Sequence, residues 1–298
     1  AYCTSAFVKK RIRFRPASAV LAEIRQAYRA GFRSFYFFDD VFTANPELAR
    51  EVCRGIVEEG FEIKWPCMTR VDLVDRETLT WMKRAGCDLV AYGIESTSGA
   101  LEKTGKRQDL EQALAAFRLT RECGIRPLAF VMFGMPGNTL EDEFRTIQFL
   151  CRLQPDAVGV FSFKPYPGTP YYIHPEAHGI RIVNRDFSRW SQLDEPTHET
   201  EHLTRDEIIE AMVVCNYLFR SGGTLSPGEK YRRRRGVQVF KTGEGGILYN
   251  PHVPPELRKT DMYLNGIKLR PQYFEVLYRC DGYHSTEDIV EIVQKLFD

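Results

Sequence analysis

Apolar positions recur along this chain in two alternating rhythms. Over residues 17–30, Val20, Leu21, Ile24, Ala27 and Tyr28 fall on one face of a helix that opens after Pro16, with Ser18 near its cap. Short apolar runs then alternate with further helical stretches. Ser34–Phe38, Ile63–Met68, Asp88–Ile94, Pro127–Phe133 and Ala157–Phe163 read as strands, each separated from the next by a helix. The start signals agree with this division. Pro46 suits a first helical turn, Asp75 caps the helix carrying Leu79, Trp81 and Met82, and Thr139 with Asp142 forms a capping-box pattern. Four helices stop at a glycine (Gly31, Gly60, Gly86, Gly124) and an apolar strand follows at once. Glycine adopts the left-handed conformation that closes a helix, so each join reads as a C-cap feeding a strand. Strands alternating with helices predict crossover units around a parallel sheet, an α/β fold.

The rhythm breaks after about residue 175. Residues 176–203 are polar and irregular, and Thr204 with Glu207 caps one more helix with Ile208, Ile209, Met212, Val213 and Leu218 inward. Ser221-Gly222-Gly223 and Ser226-Pro227-Gly228 read as a linker, followed by a run of four arginines, 232–235, assigned to solvent. Beyond it, Val237–Phe240 and Gly246–Tyr249 read as short strands, with helices expected at about 271–280 and 285–297, the second capped by Ser285. The predicted organisation is a core over 1–175, flanking helices and linker over 176–235, and a small α+β domain over 236–298.

Composition narrows the partners. At 298 residues with 43% hydrophobic content the chain can bury a large core, and a formal net charge of +1 gives no global pull toward nucleic acid or a membrane. No apolar run approaches the roughly 20 residues of a membrane span, and no signal-peptide pattern opens the chain. Eight scattered cysteines predict reduced thiols and a cytoplasmic setting. Cys53, Cys67, Cys87, Cys123 and Cys151 are expected as small core residues, and His198 and His202 as surface residues.

The chemistry-bearing residues gather at the ends of the predicted strands, the edge where parallel barrels place their sites. Asp39 and Asp40 end the first of these strands, Arg70 the second, Glu95 and Ser96 the third, and Met132 followed by Gly134-Met135-Pro136-Gly137 the fourth. Each has a plainer reading. Either aspartate can be a helix cap, Arg70 can pair with Asp72 or Asp75, Glu95 can serve a structural ion pair, and the glycine turn can be only a turn.

Taken in order, these segments resemble the radical S-adenosylmethionine (SAM) superfamily. Tyr2-Cys3 resembles the last cysteine of the family's C-x3-C-x2-C cluster loop, which follows an aromatic residue. Phe38-Asp39-Asp40-x-Phe42-Thr43 resembles the segment binding the SAM ammonium. Gly93-Ile94-Glu95-Ser96 matches the Gly-x-Glu-Ser of barrels that often follow cobalamin domains. Phe133–Thr139 looks like the family's Gly-Ile-Pro-Gly-Glu-Thr, with Asn138 in place of Glu, and Pro165–Tyr171 resembles its closing segment. The resemblance covers about 170 residues. It implies a partial (β/α)6 parallel barrel lacking its first strand, and a 4Fe-4S cluster with Cys3 as one metal ligand. Thiolates suit iron, and three of them leave the fourth iron open for SAM. It further implies SAM bound by Asp39 or Asp40, Arg70, Glu95, Ser96, Met132, Gly134, Met135, Pro136 and Gly137. The family cleaves SAM reductively to a 5′-deoxyadenosyl radical, drawing on an electron donor such as flavodoxin or ferredoxin, and relatives with these motifs add cobalamin as a further cofactor.

Residues 236–298 resemble the small winged-helix peptide chaperone of pyrroloquinoline quinone biosynthesis, through Gly243–Tyr249, Tyr263-Leu264-Asn265-Gly266 and Asp281–Ile289. A peptide substrate captured along a strand edge is therefore implied, with a small molecule as the other substrate class. With only Cys3 of the cluster loop present, the 298-residue chain by itself is expected to be inactive. Two rivals remain open on sequence grounds: a degenerate barrel that binds peptides or partners, and a metal-independent barrel enzyme for phosphorylated substrates. Against the second, no strand end shows a phosphate-cradling glycine loop with a basic partner.

Overall fold

The computed structural model describes residues 12–99, 109–191 and 194–219, together with the backbone of five short strands between 230 and 285. Four parallel strands make its central sheet: β1 (Trp65–Thr69), β2 (Cys87–Glu95), β3 (Arg126–Phe133) and β4 (Ala157–Ser162), hydrogen-bonded in that order. Helices α1 (Ala17–Arg29) and α2 (Pro46–Glu58) precede it. Three more, α3 (Arg76–Arg84), α4 (Leu110–Glu122) and α5 (Leu140–Leu153), supply the crossovers, and α6 (Arg205–Phe219) packs against β4 and α5. The expected α/β fold with a parallel sheet is present.

Local chemistry sets the boundaries. Asn45 caps α2 ahead of Pro46, Asp75 accepts from the Thr78 N–H, and Thr139 and Asp142 close a reciprocal capping box on α5. Thr204 and Glu207 do the same for α6. At the other helix ends Gly31, Gly60, Gly86 and Gly124 all have φ between 68° and 97°, as the sequence predicts. Gly86 is doubly constrained, since a Cβ there would lie 1.9 Å from the Ile63 carbonyl oxygen.

Some expectations need correction. Ser34–Phe38 is not a full strand; it joins β1 by two isolated parallel bridges, Ser34 to Lys64 and Phe37 to Cys67. Its alternation explains why it docks at all: Phe37 packs its ring on Trp65 and Phe42, while Tyr36 and Phe38 are exposed. Ser18 does not cap α1, whose N-cap is Pro16 with no side-chain bond. The stretch 176–203 is not wholly irregular, because β5 (Ile180–Ile182) and β6 (His198–Thr200) pair antiparallel within it.

The two faces of the sheet differ. On the helix-covered side Trp65, Tyr92, Ile94, Val131 and Phe133 are fully buried with Leu79, Met82, Phe117 and Phe144. The Trp65 indole N–H donates to the Ala85 carbonyl at 2.8 Å, and the Tyr92 hydroxyl bonds Thr120 at 2.6 Å. Cys53, Cys67, Cys87 and Cys151 are buried here, as expected; burial drives the Cys53 and Cys67 thiols well above their ordinary range. On the opposite face Met68, Leu89, Phe130, Met132 and Phe161 are only half-buried, with the Phe130 and Phe161 rings 5.3 Å apart.

Farther along, β7 (Lys230–Arg232) pairs antiparallel with β11 (Asp281–Ser285). Strands β8 (Gln238–Thr242), β9 (Gly245–Tyr249) and β10 (Ile267–Leu269) form an antiparallel sheet in the order β10-β9-β8. The two expected short strands are thus present within one residue or two of their predicted bounds. Ser285 ends a strand, and the helices expected around it lie outside the described residues.

Gly31 and Gly86 separate two costs. A Cβ at Gly31 meets nothing within 4 Å, so Gly31→Ala should lose only the left-handed penalty, about 1 kcal/mol. Gly86→Ala adds the carbonyl clash and should lose about 3 kcal/mol or more. Urea unfolding of the two variants checks this; equal losses would contradict it.

Candidate functional site

The C-terminal ends of the strands meet along one edge, and the sequence-selected residues lie there. Asp39 and Asp40 are exposed beyond the bridged segment 34–37. The short turn after them is anchored by a buried hydroxyl pair, Thr43 to Thr69, at the end of β1. Arg70 follows, exposed, and forms a two-bonded fork with Asp72 at 2.8 Å for each bond. The ion-pair alternative for Arg70 is therefore the arrangement seen. Cys3 lies outside the described residues.

Glu95 is the conformational outlier of the edge. The ladder between β2 and β3 slips between Gly93 and Glu95, and Glu95 adopts φ 62°. A left-handed non-glycine residue costs on the order of 1–3 kcal/mol and persists only where surroundings impose it. Ser96 is buried next to it. Its Oγ accepts from Asn138 Nδ2 at 3.3 Å, and Ser98 Oγ donates to Asn138 Oδ1 at 2.5 Å. Asn138 thereby ties the loop after β2 to the turn after β3.

That turn, Gly134–Gly137, carries φ +78° at Gly134 and +86° at Gly137. Gly134, Met135 and Asn138 are buried, Met132 and Pro136 half-buried, and Gly137 exposed. The Gly134 N–H donates to Glu143 Oε1 at 2.7 Å, and Asn138 Nδ2 reaches the same oxygen at 3.4 Å. Glu143 is 0% exposed, and burial pushes its carboxyl up to about 8.

His198 corrects its expected surface position. It is 0% exposed, and its Nε2–H donates to the Gly134 carbonyl at 2.8 Å. A carbonyl only accepts, so this bond fixes the proton on Nε2. Burial lowers the imidazole to about 4, so the ring is neutral near pH 7. Lys164, just past β4, is also buried; its ammonium donates to the carbonyls of Asp194 (3.2 Å) and Glu195, and burial lowers it to about 8. Glu143, His198 and Lys164 were missed as site-edge residues, and Asn138 was noted only as standing in place of Glu in the glycine-turn motif. Of the three missed, only Glu143 left a trace, as a carboxylate among Leu140, Phe144 and Ile147 on the apolar stripe of α5.

The donor set along this edge suits SAM: carboxylates for an ammonium, a carboxylate and a hydroxyl for ribose hydroxyls, and a thioether and glycine turn for a flat base. The described cysteines do not suit an iron–sulfur cluster, since all are buried except the half-buried Cys123 and, among the described residues, no three His, Cys, Asp or Glu side chains converge as metal ligands. No helix among the described residues is long and apolar enough to cross a membrane.

A four-stranded parallel α/β sheet with polar residues and a glycine turn on its C-terminal edge fits a partial α/β barrel. Residues 1–150 match the family model described as the Radical SAM superfamily, and the chain belongs to that superfamily. An uncharacterized methyltransferase, PH0819, of Pyrococcus horikoshii is 29% identical over 210 residues, 70% of this chain and 45% of the relative. A putative methylthiotransferase, MJ0865, of Methanocaldococcus jannaschii is 30% identical over 175 residues, 55% of this chain and 38% of the relative. The chain thus spans less than half the length of either. Among solved structures, the radical SAM methyltransferase TsrM from Kitasatospora setae, with cobalamin and a 4Fe-4S cluster bound, is similar in fold. Its TM-score is 0.52 at 22% identity, over 58% of this chain and 35% of that one.

The two buried acids and bases set opposite pH responses. His198, lowered in the fold, contributes stability that is lost as pH falls from about 6.5 through 4. Glu143, raised in the fold, contributes stability present below 4.5 and lost as pH rises through about 8. Between pH 6.5 and 8 the Glu143 effect stands clear of the other, and wild-type stability should fall by up to about 2 kcal/mol. Urea midpoints should show that slope, and Glu143→Gln should remove it.

Proposed function

We propose that this chain carries the SAM-binding core of a radical SAM enzyme that modifies its substrate by methyl or methylthio transfer. The observation that carries the reading is Glu95, a carboxylate held in a left-handed conformation at a sheet irregularity beside buried Ser96. The names of the two archaeal relatives support the transfer chemistry.

In this reading Asp39 or Asp40 accepts hydrogen bonds from the SAM ammonium. Arg70 takes the SAM carboxylate, exchanging Asp72 for it. Glu95 and Ser96 hold ribose hydroxyls, and Met132 with the Gly134–Gly137 turn packs on adenine. Cys3 ligates the 4Fe-4S cluster, which when bound and reduced supplies the electron that cleaves the sulfonium. The half-buried apolar face of β2–β4 borders this edge and offers a surface from which a bound substrate would displace water. Cobalamin as a second cofactor is supported by the Gly93-x-Glu95-Ser96 pattern, and a peptide substrate by the resemblance of residues 236–298 to a peptide chaperone.

The test uses the full-length protein, reconstituted anaerobically with iron and sulfide and reduced with dithionite. SAM consumption is read as 5′-deoxyadenosine plus S-adenosylhomocysteine. Wild type should consume SAM, Cys3→Ala should lose the cluster absorbance and at least 99% of turnover, and Glu95→Ala should raise KM for SAM about tenfold or more, roughly 1.4 kcal/mol. Equal turnover in Cys3→Ala, or a cluster-loaded protein that neither binds nor consumes SAM, would refute the reading.

A further inference from the structure

Gly134 is gripped at both of its backbone polar groups by residues the function above does not use. Its N–H donates to Glu143 Oε1 from α5, and its carbonyl accepts from His198 Nε2 on β6. Both side chains are fully buried. Each also has a second polar atom, Glu143 Oε2 and His198 Nδ1, that is buried without a hydrogen-bond partner. Leaving such atoms unpaired opposes folding, and two apolar side chains could fill this space without that loss. The arrangement is thus poor as packing and effective as a grip. Its targets are the two peptide groups on either side of the Gly134 Cα, at the first residue of the glycine turn.

Neighbouring contacts restrict the grip to a single geometry. The His198 ring stands edge-on to Phe163 at 5.3 Å between centroids, and Phe163 itself donates its backbone N–H to the Phe133 carbonyl at 2.7 Å. Glu143 Oε1 is shared with Asn138, the residue bridging to Ser96 and Ser98. A Cβ at Gly134 would press on Ile208 at 2.8 Å, so α6 closes the remaining side. The turn after β3 and the loop after β2 are therefore hydrogen-bonded to one another through Asn138, with Glu143 holding both Asn138 and Gly134.

We propose that Glu143 and His198 are positioning residues for the SAM site: they fix the two peptide planes that flank the Gly134 Cα and so set the approach of the Gly134–Gly137 turn to the adenine. This rests on the reading of that turn given above. Neither side chain touches SAM in this account. Glu143 acts as a hydrogen-bond acceptor, which glutamine can replace and leucine cannot.

S-adenosylhomocysteine, which carries the adenosine without the reactive sulfonium, is a suitable probe, titrated calorimetrically into the full-length protein. Backbone amide exchange over 134–138 in the ligand-free protein gives a second readout. Glu143→Leu and His198→Leu should each weaken binding at least tenfold and speed exchange across the turn, while Glu143→Gln stays within threefold of wild type. A role in packing alone would lower Tm and leave the affinity of the folded protein unchanged. Binding within twofold of wild type in both leucine variants would overturn the proposal while leaving the SAM reading intact. Failure of the wild type itself to bind the probe would instead sink the SAM reading, and the proposal with it. Should the leucine variants not fold, wild-type exchange decides. Gly134 exchanging at the rate of an unstructured loop overturns the grip, and strong protection together with probe binding in Glu143→Gln sustains it.

Discussion

Everything in this fold depends on helices turning back into the sheet within a few residues. A helix covering a parallel sheet ends at the edge opposite the one where its strand will finish. The reversal requires a backbone conformation that side chains resist, and glycine supplies it at 31, 60, 86 and 124. With the reversals fixed at one edge, strands β1 to β4 all run the same way. Their C-terminal ends then deliver Arg70, Glu95, Ser96 and the Gly134 turn to the other edge.

Two kinds of polar structure divide the molecule. The surface carries many charge pairs, such as Arg25 with Glu59 and Arg76 with Glu122, worth little each in water. Near the strand ends the polar groups are buried and joined to one another: Ser96, Asn138, Glu143, the Gly134 peptide and His198. In that low-dielectric setting each bond is stronger and each unpaired atom more costly. Neutral forms of Glu143 and His198 are what the site tolerates near pH 7, which makes both side chains hydrogen-bonding groups there.

Much of this was legible in the sequence, because it is local. Glycine stops, the Thr139–Asp142 box and the apolar alternation of β2 to β4 each depend on residues a few positions apart, and they give the sheet and its functional edge. The order of motifs at the strand ends then gave the superfamily. The grip on Gly134 was not legible, because its partners are brought together only by the fold. His198 is 64 positions from Gly134, and Asn138 is 42 from Ser96. His198 sits in a polar stretch where surface exposure is the ordinary expectation, and only the pairing of β5 with β6 carries it inside. The bridged segment 34–37 misled in the other direction: its alternation is that of a strand, but its exposed Tyr36 and Phe38 lie on a side where no described element covers them.

The separation of the two edges has a consequence for how the protein tolerates change. Substitutions among the glycine reversals and the helix-facing core act on how much folded protein exists. Those at the opposite edge, where Asp39, Asp40 and Arg70 stand exposed, leave the core untouched and, on the reading proposed above, act on what the folded protein can recognise. On that reading, ligand preference would change by altering one rim, without renegotiating the scaffold. Asn138 is the exception, since a change there would register on both accounts at once.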